Sequence, residues 1–398
     1  MSVFDVSADN IFAAGLSSSG QLENFAQRAL TQGLELFVAK KYDQAIPVLQ
    51  RAAGLSPRST TAINAYDYMA RSHLANGDAN AAIQAYQQAL RIDTGRDDIR
   101  MALGNAYYSE DRFEEARREY EQGVKLNPSA ANRYSLGQGY LATGEYDQAL
   151  IQFEQVKRIE SREPYGDTGL GQAYAKMGQY DQAIAAFESA IATQPDYWEA
   201  YSEMGYALVD MGETERAAEM VETLRGNASE LADNLSSYLY EKSAPKMTAT
   251  YASELYAMFP SSLGPATRLS NVSAYLAAPS SSQTFSMVFQ FSKPMDARSV
   301  ENEQNWTITR HLGTGRGDGY NLGVLLPPSE VSLPGKPEAV YYDANTLTAT
   351  VLFKIQQNAT GDGTLDPSHI KFAFAGEDVL GMTMDGQADE YIGYKGFA

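Results

Sequence analysis

GEYDQALIQFEQV at 144–156 and GQYDQAIAAFESAI at 178–191 are one unit written twice, 34 residues apart. Reading outward from them, the unit recurs as DRFEEARREYEQGV at 111–124, GDANAAIQAYQQAL at 77–90, KKYDQAIPVLQRA at 40–52 and GETERAAEMVETL at 212–224. The shared alanines Ala45, Ala82, Ala116, Ala149, Ala183 and Ala217 lie 37, 34, 33, 34 and 34 residues apart. Upstream of each, a second helix carries a small residue in a fixed place: Gly33, Ala70, Gly104, Gly137, Gly171 and Gly205. Four residues after each alanine stands a large apolar one: Leu49, Tyr86, Tyr120, Phe153, Phe187 and Val221. The small residue lets two antiparallel helices approach closely, and the large one fills the gap to the next unit. A single unit cannot bury its own apolar face, so neighbours must stack into a right-handed α-solenoid.

The recurring LGxxY, G-x-Y-D-x-A and N-P/Q-P elements resemble the tetratricopeptide repeat over residues 26–225, as six repeats. The resemblance implies a concave groove lined by the first helix of each pair, where inner positions include Met101 and Asn105, Tyr134 and Gln138, and Thr168 and Gln172. The best-known groove of this family holds a C-terminal carboxylate with lysine and asparagine. Asn105 fits that pattern and the lysine positions do not, which leaves a neutral polar groove suited to an extended segment bound through amides. Two G-x-G matches, SLGQGYLATG and GLGQAYAKMG, lie inside first helices with no strand before them, so neither is a dinucleotide fingerprint.

Flanking the array, residues 1–25 read as an N-terminal arm and residues 226–260 as capping helices. In the cap, Ala228, Leu231, Ala232, Leu235, Tyr238 and Leu239 share one helical face, and a second short helix is expected over 248–259. The arm carries Phe4, Val6, Ile11 and Phe12, an apolar load that must cover something: the chain's own first repeat, or a neighbouring copy.

Near residue 260 the apolar period changes from 3.6 to 2. TFSMVFQF sets Phe285, Met287, Phe289 and Phe291 on one face, and LTATVLFK does the same for Leu347, Ala349, Val351 and Phe353. NWTIT, YNLGVLL, EAVYY and IKFAF are further strand candidates between turn-rich segments. Residues 261–398 are therefore expected to form an all-β, immunoglobulin-like sandwich. FQFSKPMDARSVENEQNWTIT and the late GEDVLGMTMD resemble bacterial surface Ig-like modules over residues 267–385. In such families the module is usually a spacer or assembly unit.

With 31 basic and 50 acidic residues the net charge is −19, which argues against nucleic acid and anionic membrane as partners. No apolar run is long enough to span a bilayer. There are no cysteines, which removes thiolate metal sites and disulfides together. His73, His311 and His369 are too few and scattered for acid–base chemistry, and His73 reads as a packed stand-in for tyrosine. Arg316-Gly317-Asp318 reads as a turn, as do Asp362 and Asp366, whose spacing is not that of a calcium loop. Trp306, Tyr341 and Tyr342 read as strand packing.

No catalytic motif stands out, and neither a cofactor nor a metal site is expected. The preferred reading is a non-catalytic structural protein forming a homo-oligomer or homopolymer, extracellular or at the cell surface. The alternative is an adaptor, cytoplasmic if the absence of a leader decides, that binds a peptide segment of another protein. The residues expected to make protein contacts are Phe4, Val6, Ile11, Phe12, Asn105, Gln138 and Gln172.

Overall fold

A computed structural model describes residues 8–253, 255–313 and 318–397, with side chains from residue 20 onward. The chain divides into two units, Met1–Tyr240 and Glu241–Ala398. The first is built from α1 (Ala8–Val38), α2 (Tyr42–Leu55), α3 (Thr60–Ala75), α4 (Ala79–Ile92), α5 (Asp97–Tyr108), α6 (Phe113–Leu126) and α7 (Ala130–Ala142). It continues with α8 (Tyr146–Ile159), α9 (Tyr165–Lys176), α10 (Tyr180–Thr193), α11 (Trp198–Met211), α12 (Thr214–Arg225) and α13 (Ser229–Lys242). Each of α1 to α12 packs on its neighbour in sequence, as stacked helix pairs require.

The repeat register is visible in the packing. All six shared alanines are completely buried. A Cβ at Gly137 would stand 2.5 Å from Phe153, and one at Gly171 would stand 2.5 Å from Phe187. In the sixth pair Val221 is shorter than the rings at that position, and the residue a Cβ on Gly205 would strike is Leu235 of α13. The cap thus fills the last crossing from outside the repeat. The turn inside each pair needs one residue with positive φ. Gly77, Gly144, Gly178 and Gly212 supply it at 80°, 79°, 72° and 91°, whereas Lys40 and Asp111 adopt it at 57° and 56°.

The expected arm boundary at residue 25 is not a structural boundary, because α1 runs unbroken from Ala8 to Val38. Phe4 and Val6 lie outside the described residues, and Ile11 and Phe12 fall within α1 where only the backbone is described.

The second unit contains β1 (Met247–Tyr251), β2 (Thr267–Arg268), β3 (Ser282–Phe291), β4 (Trp306–Arg310), β5 (Ala339–Asp343), β6 (Thr348–Gln356), β7 (Thr364–Leu365), β8 (Ile370–Phe374), β9 (Glu390–Ile392) and β10 (Gly396–Phe397). They form sheets of order β1-β3-β6-β5 and β10-β9-β8-β4 plus the pair β2-β7, and every ladder is antiparallel. The two larger sheets share one core, in which Phe289 meets Trp306 and Phe372 at ring distances of 5.6 Å each, and Trp306 meets Phe374 at 4.6 Å. Trp306 is fully buried and donates its indole N–H to the Val300 carbonyl at 2.8 Å, which makes it a core packing residue.

Two local expectations are corrected. The helix foreseen over 248–259 is instead β1, in which Met247 pairs with Phe291 and Tyr251 with Val288. The strand foreseen at YNLGVLL is a short turn, Tyr320–Gly323, with Asn321 and Leu322 at positive φ, followed by extended, exposed chain. Asp366 does not sit in a solvated turn: it is fully buried and accepts the Asn321 N–H at 2.7 Å. Asp362, by contrast, is exposed and accepts from Asn358 at 2.9 Å and from the Thr360 hydroxyl.

Candidate functional site

The first helices of the third to sixth pairs are α5, α7, α9 and α11. Along each, the residue after the small one, and those four and five places after it, fall on one side. The structure gathers several of them into an open groove of about 700 Å³, lined by Tyr108, Gln138, Leu141, Ala142, Gln172, Ala175, Lys176, Tyr206 and Asp210. The first residues of α6 and α8, Phe113 and Tyr146, add aromatic rings, and Tyr238 of α13 closes one end.

Through the groove runs a ladder of side chains, one rung per helix pair. Gln138 Nε2 donates to Gln172 Oε1 at 2.8 Å, and Gln172 Nε2 donates to Glu203 Oε1 at 2.9 Å. The carboxylate of Glu203 can only accept, so Gln172 must turn its nitrogen toward it and its oxygen toward Gln138. One acidic residue therefore sets the direction of the whole ladder. Gln138 Oε1 accepts no hydrogen bond among the described residues, and the second N–H of Gln172 is likewise uncommitted. Burial pushes the nearby Tyr134 hydroxyl up, and the Gln138 amide opposes that shift.

At the α13 end the Tyr238 hydroxyl donates to Asp210 Oδ1 at 2.5 Å, and its ring meets Tyr206 edge-on at 5.1 Å. That hydrogen bond, with burial second, pushes the Tyr238 hydroxyl up to about 12, so it stays a donor across the physiological range. At the other end Tyr108 packs edge-on against Phe113 at 5.1 Å. The site thus offers neutral amides along its floor, aromatic walls, and a fixed acidic group at one end.

Of the residues singled out from sequence, Gln138 and Gln172 are brought together. Asn105 does not line the cavity, and its side-chain oxygen accepts the Tyr120 hydroxyl at 2.7 Å within its own pair. Met101 and Thr168 are packing residues: both are buried, and the Thr168 hydroxyl donates to the Pro164 carbonyl at 2.9 Å. Tyr108, Leu141, Ala142, Ala175, Lys176 and Asp210 follow from the same register carried one turn further. Nothing in the repeat pattern announces Glu203 or Tyr238.

The histidines are less scattered than the sequence suggests. His311 and His369 lie 6.2 and 4.2 Å from the Tyr394 ring, and His369 Nδ1 stands 2.9 Å from the buried Asp366. Ser368 Oγ contacts the same nitrogen at 2.9 Å and Asp366 at 2.8 Å. A hydrolytic relay needs the serine and the carboxylate on opposite ring nitrogens, so this network holds chain segments and activates no nucleophile. Asp318 of the Arg-Gly-Asp segment is tied to Lys395 at 2.7 Å and to the Tyr394 hydroxyl; Arg316 and Gly317 lie outside the described residues.

Models of the tetratricopeptide repeat match residues 30–96 and 73–138, and a model of the TPR repeat matches residues 171–212. A tetratricopeptide repeat protein from Parabacteroides merdae has 18% identity and a TM-score of 0.50, over 55% of this chain and 89% of that one. PilW, a type IV pilus biogenesis factor, has 15% identity and a TM-score of 0.45, over 53% and 97%. YrrB, described as a TPR protein with an unusual peptide-binding site, has 18% identity and a TM-score of 0.37, over 48% and 97%. No curated protein sequence matches the chain.

Proposed function

With residues 20–242 a solenoid of tetratricopeptide repeats, we propose that this protein is a non-catalytic interaction module whose groove holds an extended segment of a protein chain. The observation that carries this reading is the ladder from Gln138 through Gln172 to Glu203 along the floor of an open, aromatic-walled groove. An extended segment presents backbone N–H and C=O groups that do not depend on its sequence. Gln138 Oε1 takes one such N–H, and the second N–H of Gln172 reaches a carbonyl, while Tyr108, Phe113, Tyr146 and Tyr206 receive the side chains. Specificity comes from the ring-lined walls and from the Asp210–Tyr238 end.

Selection of displayed peptides on the full-length protein tests this. The double variant Gln138→Ala, Gln172→Ala keeps the helix crossings and removes two amide partners, so selected peptides should bind it roughly 5- to 100-fold more weakly. Equal binding to both proteins would place the interaction elsewhere.

The assembly reading draws on the second unit, whose two facing antiparallel sheets and F-S-K-P-M-D turn at 291–296 support an Ig-like spacer at a cell surface or outside the cell. The groove is the better-defined surface, which favours the adaptor reading.

A further inference from the structure

The second unit carries an exposed apolar segment. In NLGVLLPP at 321–328, Leu322, Val324, Leu325 and Leu326 are 51, 66, 91 and 46% exposed. Four such residues within five positions on a short loop form the kind of patch that marks an interaction surface. This loop is held firmly at its base. The Tyr320 hydroxyl donates to the Glu330 carboxylate and accepts the Asp366 N–H at 2.9 Å, and Asp366 takes the Asn321 N–H at 2.7 Å. Arg310 donates to the Val331 carbonyl at 3.0 Å and lies over the Tyr320 ring. Leu322 is kept at a φ of 56°, which a leucine rarely adopts.

Beyond that turn the chain is extended. Val324 has φ −83° and ψ 152°, and Pro327 and Pro328 fix the same polyproline-like course after Leu326. The N–H groups of Leu325 and Leu326 make no hydrogen bond among the described residues. No charge occurs between Asp318 and Glu330.

We propose that this loop of one copy occupies the glutamine-floored groove of a second copy. The inference rests on the groove reading above and names its occupant. Uncharged, proline-bearing extended chain is what aromatic-lined grooves recognise, because it is already ordered before binding. The free N–H groups of Leu325 and Leu326 match the open Gln138 oxygen, and the leucines match the walls made by Tyr108, Phe113 and Tyr206. Two copies at −19 each repel, so a contact between them must keep like charges apart: the loop carries no charge, and in the groove Glu203 is engaged by Gln172 and Asp210 by Tyr238, with Lys176 beside them. Loop and groove are different surfaces, so the contact is heterologous and propagates from copy to copy.

Sedimentation velocity of the full-length chain over a rising concentration series tests this. The wild type should form oligomers that lengthen with concentration. Leu325→Asp, at an exposed position, and Ala175→Trp, in the groove, should each weaken association at least roughly tenfold. An equimolar mixture of the two variants should give dimers and nothing longer, since each pair has one intact loop and one intact groove. If Ala175→Trp loses its helical melting transition, Gln172→Arg replaces it. A wild type that stays monomeric throughout, a Leu325→Asp variant that associates normally, or a mixture that stays monomeric would each overturn the proposal. Displayed peptides that still bind the wild-type groove in those cases preserve the groove reading and reject only this occupant; their failure rejects both.

Discussion

Replacing Gly171 with alanine adds one methyl group, and the structure says where it goes. The new Cβ would lie 2.5 Å from Cε1 of Phe187 and 2.7 Å from its Cδ1 and Cζ. Carbon atoms settle at about 3.5–4.0 Å, so the ring must retreat by about 1 Å. It has nowhere to go, because Phe187 is fully buried in a cluster with Ile184, Met204 and Leu208. Overpacking of this kind costs about 1–3 kcal/mol. Alanine recovers about 0.5–1 kcal/mol of helix propensity, leaving a net loss of up to about 2.5 kcal/mol. Gly54 in α2 provides the opposite case: a Cβ there meets nothing within 4 Å. Gly54→Ala should therefore stabilise the protein by about 0.5–1 kcal/mol. Adding Phe187→Leu to Gly171→Ala should recover part of the loss, because the shorter side chain vacates the clash. Denaturation followed by the helical circular dichroism signal distinguishes these outcomes. A Gly171→Ala protein that gains stability as Gly54→Ala does would refute the crossing geometry.

Asp111 adopts positive φ where four other repeats have glycine, so Asp111→Gly should raise stability by about 0.5–1 kcal/mol in the same denaturation experiment. Lys293 and Asp378 form a buried pair at 3.1 Å, and Asp378→Asn should destabilise the second unit by about 3–5 kcal/mol by removing one charge of that buried pair. Burial works to raise the Asp378 carboxyl, but the Met382 N–H and Lys293 outweigh it and hold it below its ordinary value. Its contribution is therefore complete above the unfolded carboxylate range and drains away as pH falls through the lowered native value; the acid limb of a melting-temperature profile should flatten in Asp378→Asn.

The solenoid was legible because its determinants are local and repeated: small residue, turn residue, alanine and large apolar residue return in phase, and Gly33, Gly104, Gly137 and Gly171 each meet the large residue of their own pair. Half the groove was legible for the same reason, since Gln138 and Gln172 occupy equivalent positions one repeat apart. Glu203 and Tyr238 were not, because they owe their place to helix stacking and to a cap that lacks the motif. In the second unit, the alternation in β3 and β6 was strong enough to read directly. Residues 320–326 have strand-like composition, yet the Asn321 N–H is taken by Asp366, 45 residues further on, which turns the chain away from any sheet. The apolar spacing of Tyr251, Leu255 and Phe259 suits a helix, but pairing with β3 claims Met247–Tyr251, and no local pattern records that partner.

The groove is tested most directly by a photoreactive amino acid placed at Lys176, which is exposed and lines it. Isotopically labelled and unlabelled full-length chains are mixed, irradiated, and the joined peptides identified by mass spectrometry. The account predicts crosslinks between labelled and unlabelled copies that end in residues 321–328 and vanish in the Gln138→Ala, Gln172→Ala background. Crosslinks that persist unchanged in that background, or irradiated chains that capture no extended segment at Lys176, would contradict it.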